Sequence, residues 1–374
     1  MSCVQFIIKK KGGCYVRLRG YEEIMAATVP EQIFSMNSST IDEEFKEYCE
    51  QYRPDEKFHE VRNFVVIQQL KLLHKKAMAI LSKEKNDFDS DDSSILLYDS
   101  SGKQIHFHYD THINQRICNT YSNEEQILMI VDSKYEDNYG CFSNFIDKIQ
   151  KYFEFWSRRP ADWQDYQYAV PNIIRYFRTK DKSKYVLILQ KPCRIYHLRD
   201  VLDYFDGRMN PRIVVSILKR LYLHACYLDI AGMNHNAICI DNIYFSPGNE
   251  ILPGQKYTVE DIRIVGLFGG WFFTTDRDEI AKFFPKEISD CIPQFVGKTK
   301  HSSFEVDMLS IKKVARELLG DVTGRNLFDV PSKLCEWFNK TTCEVNVLKE
   351  FEAFEKICQE VYGTPRFINI DVSI

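Results

Sequence analysis

A chain of 374 residues with 44% hydrophobic and 14% aromatic content excludes a disordered polymer and has length for two or three folded units, at least one with a sizeable core. Its formal charge of −4, from 49 basic and 53 acidic residues, excludes a large single-sign field, so nucleic acid and anionic membranes are not the expected partners. Its 12 cysteines contain no Cys-x-x-Cys, the first residues lack the basic-then-apolar order of a signal peptide, and no apolar run approaches the roughly 20 residues of a membrane span, so a cytoplasmic chain is expected.

Residues 1–25 read as a β-hairpin, with Val4–Ile8 and Cys14–Leu18 joined by a Gly12-Gly13 turn. Residues 26–86 read as a small helical domain. Ser39 and Thr40 offer caps for a helix from Ile41, and Ile41, Phe45, Tyr48 and Tyr52 share one of its faces. Pro54 ends that helix, and a longer one follows with Phe58, Val61, Val65, Leu72, Leu73 and Ile80 at apolar positions. The acidic, serine-rich stretch 87–94 is the expected linker.

Beyond it, Ile95–Tyr98, Gln104–Tyr109 and Gln126–Val131 read as strands, a helix is expected near 143–157, and Asn172–Phe177 and Lys184–Leu189 read as two more strands. From Leu198 onward the pattern is mainly helical. Strands before helices predict an α+β architecture with a cleft between a strand-rich and a helical half.

Several segments from residue 95 to 374 resemble protein kinases, in the family's order. Pro171–Arg175 and Lys184–Gln190 look like the last two small-lobe strands and the hinge; Leu198–Leu202 and a long helix from Arg212 to Asp229 look like the helices that follow. Asn234–Phe245 looks like the catalytic loop: His235 and the metal-site Asn242 match, while Ala237 stands at the aspartate position. Gly266-Leu267-Phe268-Gly269 looks like a degenerate Asp-Phe-Gly motif with no aspartate, and Ile292–Lys298 resembles the end of an activation segment. Asp307, Ser310 and Glu317-Leu318-Leu319 reproduce the spacing of the buried large-lobe helix, where the family's Asp braces the catalytic loop; the family's Gly in that helix is Lys312 here.

The resemblance implies a bilobal kinase-like fold, with small lobe and hinge at 95–197 and large lobe at 198–374. It also implies which chemistry is gone. Kinases position a carboxylate to accept the hydroxyl proton and use Asp and Asn to hold magnesium against the phosphates. Ala237 removes the first and the missing aspartate removes the main metal anchor, so neither catalytic residues nor a metal are expected. Ser101-Gly102-Lys103-Gln104 is a single-glycine turn, not a phosphate cradle. Lys134 and Glu154 stand near the separation of the family's nucleotide-binding ion pair, but exposed charges are the default, so a solvated lysine and a helix-surface glutamate are expected. No cofactor is expected, and ATP with magnesium is disfavoured.

His106, His108 and His112 could share a strand face and suit zinc, but with only Asp110 nearby an exposed or core-edge histidine row is expected. Cys239, between Ile238 and Ile240, reads as a buried, inert thiol. Arg53-Pro54-Asp55, after the helix from Ile41, resembles the His-Pro-Asp loop of J-domain co-chaperones with Arg in place of His; that family engages an Hsp70-type chaperone. The expectation is thus a pseudokinase acting as a protein-binding or regulatory module. An atypical phosphotransferase or nucleotidyltransferase using Asp241 or another substitute acid, and a degenerate co-chaperone or scaffold, stand as alternatives.

Overall fold

The computed structural model describes residues 8–11, 14–17, 19–53, 61–83, 93–115, 117–135, 150, 152, 171–192, 195–247, 262–277, 281, 284–291 and 304–363. The expected helix at 143–157 (apart from residues 150 and 152), the segment 292–298, and Pro54, Asp55, Phe58 and Glu154 lie outside the described residues. The chain divides into two compact units, Met1–Asp91 and Asp92–Ile374.

In the first unit, β1 (Ile8–Lys11) pairs antiparallel with β2 (Cys14–Arg17). Lys9, Lys10 and Lys11 belong to β1, and the register Lys11↔Cys14 leaves only two residues between the strands. α1 (Tyr21–Ala26) falls partly inside the range expected to be hairpin and packs with the helices instead. α2 (Ile41–Gln51) carries Asp42, Glu43 and Glu44 in its first turn, favourable to the helix dipole, but Thr40 at its cap position makes no side-chain cap bond. Ile41, Tyr48 and Tyr52 bury one face of this segment against α3 (Val61–Lys83), which contributes Phe64, Val65, Leu70, Leu73 and Ala77. Ile80, expected among the apolar positions, is exposed. His74 stacks on Phe45 with ring centroids 4.4 Å apart and reaches Asp42 Oδ1 at 2.9 Å.

The second unit opens with β3 (Ser94–Tyr98) and β4 (Gln104–His108), a two-stranded ribbon. Their turn is built by Asp99, whose Oδ1 accepts from the Ser101 and Lys103 amides at 2.9 Å each, while Gly102 takes the left-handed φ of 85°. After Tyr109, where the sequence pattern predicts no strand before Gln126, the chain forms β5 (Thr111–Gln115) and β6 (Cys118–Ser122). These join β7 (Gln126–Asp132), β8 (Asn172–Arg178) and β9 (Lys184–Gln190) in an antiparallel five-stranded sheet of order β5-β6-β7-β9-β8. The continuous apolar runs of β7 and β9 reflect their interior position. Leu97 and Phe107 of the ribbon pack onto Leu128, Ile130, Phe177, Val186 and Ile188 of the sheet. Each fully buried Leu, Ile or Phe there is worth about 1.5–3 kcal/mol.

The helical part follows β10 (Tyr196–His197) and α4 (Leu198–Tyr204). α5 (Pro211–Ile230) starts with Pro at its first position and with Asn210 Oδ1 accepting from the Arg212 amide at 2.9 Å. It is buried along most of its length and packs against α7 (Phe304–Leu318), α9 (Val347–Tyr362) and β13 (Ile262–Leu267). Two short strands, β11 (Met233–Asn234) and β12 (Ile243–Pro247), lead to β13, which pairs with β12, and β14 (Thr275–Asp276), which pairs with β11. α6 (Lys286–Cys291) and α8 (Ser332–Asn339) complete the described helices, and the unit is α+β. No described helix is long and apolar enough to cross a membrane.

Candidate functional site

The loop between β11 and β12 carries His235, Ala237 and Asn242, and the β12–β13 pairing sets Ile243 opposite Leu267. Gly266-Leu267-Phe268-Gly269 therefore lies directly beside the Asn234–Ile243 segment. The Phe268 and Gly269 amides donate to Asn242 O at 3.1 and 3.2 Å.

Asp307 on α7 holds the start of that loop from below. Its Oδ2 accepts from the His235 amide at 2.7 Å and its Oδ1 from the Asn236 amide at 2.8 Å, with the side chain buried. Burial pushes its carboxyl up to about 7, against the pull of those two donors. Asn236 sits at φ 60°, a left-handed position that Asn tolerates, and its amide group is taken by Phe273 O at 3.0 Å and Thr275 Oγ1 at 2.9 Å.

Asn242 is committed to the loop itself. Its Nδ2 donates to Ala237 O at 2.8 Å and reaches Cys239 Sγ at 3.3 Å. A Cβ on Gly269 would meet Asn242 Oδ1 at 2.4 Å, so this oxygen faces glycine backbone. A Cβ on Gly270, at φ 73°, would meet Asn242 Nδ2 at 2.6 Å and the Ala237 methyl at 2.8 Å. Ala237, Leu267 and Phe268 are fully buried and bring no oxygen or nitrogen side-chain ligand. Cys239 is buried, and burial raises its thiol well above the ordinary range, which leaves no thiolate to react.

The remaining acid of the loop points elsewhere. The Asp241 carboxylate accepts from Arg199 Nε, and Arg199 Nη2 lies 3.6 Å from Glu317 Oε1. This trio ties α4, the loop and α7 together; the Asp241 bond raises the Arg199 pKa, and burial raises that of Glu317. His235 is fully buried beside Trp271, ring centroids 5.1 Å apart, and burial lowers its pKa to about 3; its ring nitrogens have no hydrogen-bond partner among the described residues. His224 on α5 is neutral too: its Nε2 meets Val265 O at 2.7 Å, and burial lowers it to about 4.

The end of β5 reaches this loop. Gln115, 3% exposed, sends Nε2 to within 3.8 Å of Cys239 Sγ. No sequence signal pointed to Gln115, Gly270 or the Arg199–Asp241 pairing, because each depends on a neighbour distant along the chain.

Other expected residues are dispersed. Lys134, in a single 3-10 turn after β7, is 65% exposed with its Nζ 3.0 Å from Asp132 Oδ2, so it pairs with the last residue of β7. The three histidines do not share one strand: His106 and His108 are neighbours on β4, rings 4.3 Å apart, whereas His112 lies on β5 and stacks on Tyr121. Tyr109 and Asp110 turn the chain between two separate sheets, which breaks the row. No cluster of three or more His, Cys, Asp or Glu suited to a metal occurs among the described residues. Arg53 is exposed at the end of α2.

No family model and no curated protein matches this chain. Among solved structures, that of vaccinia related kinase 3 is similar at 14% identity and a TM-score of 0.47, covering 75% of this chain and 94% of that one.

Proposed function

We propose that this chain is a catalytically inactive, protein-kinase-like protein that acts by binding another protein. The observation that carries the proposal is the absence of any carboxylate around Asn242: its buried Oδ1, which has no hydrogen-bond partner among the described residues, faces Gly269, and the fully buried Ala237 and Leu267 beside it bring no ligand side chain. The residues present do not fit magnesium. Ala237, and either Gly266 or Leu267, stand where the resemblance requires two aspartates, and the only acid inside the loop, Asp241, is neutralised by Arg199. That pairing also counts against an atypical phosphotransferase in which Asp241 takes over. Asp307, by contrast, keeps the bracing role the resemblance assigns to it, which is what a fold retained for its shape requires.

The test is thermal unfolding of the full chain with and without ATP and magnesium or manganese. A ligand that binds the native state raises apparent stability by RT ln(1 + [L]/Kd), about 2.7 kcal/mol at a hundredfold excess over Kd. No shift is expected; a metal-dependent rise would overturn the proposal.

A further inference from the structure

The β3–β4 ribbon leaves one edge of β3 open. In the ladder, the Tyr109 amide bonds Ser93 O and the Asp99 amide bonds Lys103 O, at 3.0 Å each, so odd-numbered β3 residues face β4. By alternation, the backbone groups of Ser94, Leu96 and Tyr98 face away. Tyr98 O is taken by the Lys180 amide at 3.1 Å, and among the described residues no strand pairs with the rest of this edge.

Open space lies along that edge. A concavity of about 480 Å³ is lined by Leu96, Tyr98 and the β8–β9 turn with Thr179, Lys180, Asp181 and Lys184. Its apolar members are unusually bare, with Leu96 47% and Tyr98 46% exposed. Its rim is basic in effect. Lys180 and Lys184 are exposed, and Lys182 stands at the tip between them. Asp181, also exposed, accepts from Thr179 Oγ1 at 2.6 Å and from Ser183 Oγ at 2.7 Å and stays ionised, so three lysines face one carboxylate at this turn.

We infer that the open edge of β3 at Leu96–Tyr98 receives an extended, acidic segment of a partner protein, added as a strand, with its carboxylates held by Lys180 and Lys184. An unpaired strand edge supplies the main-chain bonds that bind any extended peptide, and the flanking side chains select among sequences. Here the selecting features are an apolar floor and two lysines, which favour alternating apolar and acidic residues. The inference rests on the protein-binding role proposed above and is independent of whether nucleotide binds, so peptide and nucleotide measurements fail separately.

The test uses fluorescein-labelled octapeptides of alternating valine and glutamate, or valine and lysine, titrated with the full chain and read by anisotropy. The acidic peptide should bind saturably, about tenfold or more tightly than the basic one, and weaken as salt rises from about 50 to 300 mM. The double variant Lys180→Glu with Lys184→Glu should reverse the preference. Leu96→Pro removes only an edge-facing amide and should abolish binding. If that variant does not fold, acidic peptides N-methylated at every valine or at every glutamate test the same bonds, because only one set faces β3; loss in one of the two is expected. Absence of saturable binding, indifference to charge reversal, or equal binding by both methylated peptides would overturn the inference. A dimer in sedimentation that Leu96→Pro dissolves would overturn it in favour of a second copy of the chain.

Discussion

Lys312 Nζ lies 2.7 Å from Glu350 Oε1, and both side chains are 1% exposed. The lysine also donates to Thr342 O at 3.0 Å and sits 4.5 Å from the Trp337 ring centroid. A position where the kinase resemblance expects glycine thus holds a charge that ties α7 to α9.

Breaking such a pair leaves an uncompensated buried charge, whereas replacing both partners does not. Lys312→Met should therefore cost about 3–5 kcal/mol, read by urea denaturation. Lys312→Met combined with Glu350→Leu should be more stable than the single lysine variant. Additive losses would show that the two residues are not coupled.

Asp307 should give the loop a pH-dependent anchor. Its folded pKa of about 7 lies above the ordinary 3.8, so its contribution is fully present below about pH 4 and is lost as pH rises through 7. Asp307→Asn leaves one buried backbone amide facing a side-chain NH₂ and is expected to cost about 1–3 kcal/mol near neutrality. That loss should grow by about 2 kcal/mol on lowering the pH from 8 to 5. A pH-independent difference between variant and parent would contradict this.

The buried histidines act with the opposite sign. With folded pKa values of about 4 for His224 and about 3 for His235, below the ordinary 6.5, both contribute stability above pH 6.5 that is lost as pH falls toward those values. His235, whose ring nitrogens gain no bond among the described residues, is the replaceable one. His235→Phe should be near neutral at pH 7 and more stable than the parent by about 2 kcal/mol at pH 5. An unchanged acid slope in calorimetric melts would refute the assignment.

Gly270 should resist substitution. Its φ of 73° and its closeness to Asn242 and Ala237 mean that Gly270→Ala incurs both backbone strain and overlap, together costing about 2–4 kcal/mol. A destabilisation below about 1 kcal/mol would mean the loop has room that Asn242 does not use.

Much of the scaffold was legible because local periodicity carries it. The runs Gln126–Val131 and Lys184–Leu189 emerge as central strands β7 and β9, and Asn210-Pro211 marks the start of α5 as cap and first residue. The β5–β6 hairpin escaped because Thr111–Gln115 and Cys118–Ser122 are largely polar and their two-residue turn, Arg116-Ile117, has neither glycine nor asparagine to announce it. The histidine row was misjudged for a related reason: alternation predicts a shared face only while a strand continues, and β4 ends at His108.

By itself the sequence determined that Ala237, Gly266 and Leu267 bring no side-chain oxygen or nitrogen to this region in any conformation, and it determined the spacing that puts Asp307 on the inner side of a helix. Only the tertiary structure decided what the remaining polar groups do. Asn242 turns inward to Ala237, Asp241 goes to Arg199, and Lys312 finds Glu350 thirty-eight positions away. The physical reason is that a backbone's periodicity is local, whereas a buried polar group must find its partner wherever packing brings one within bonding distance.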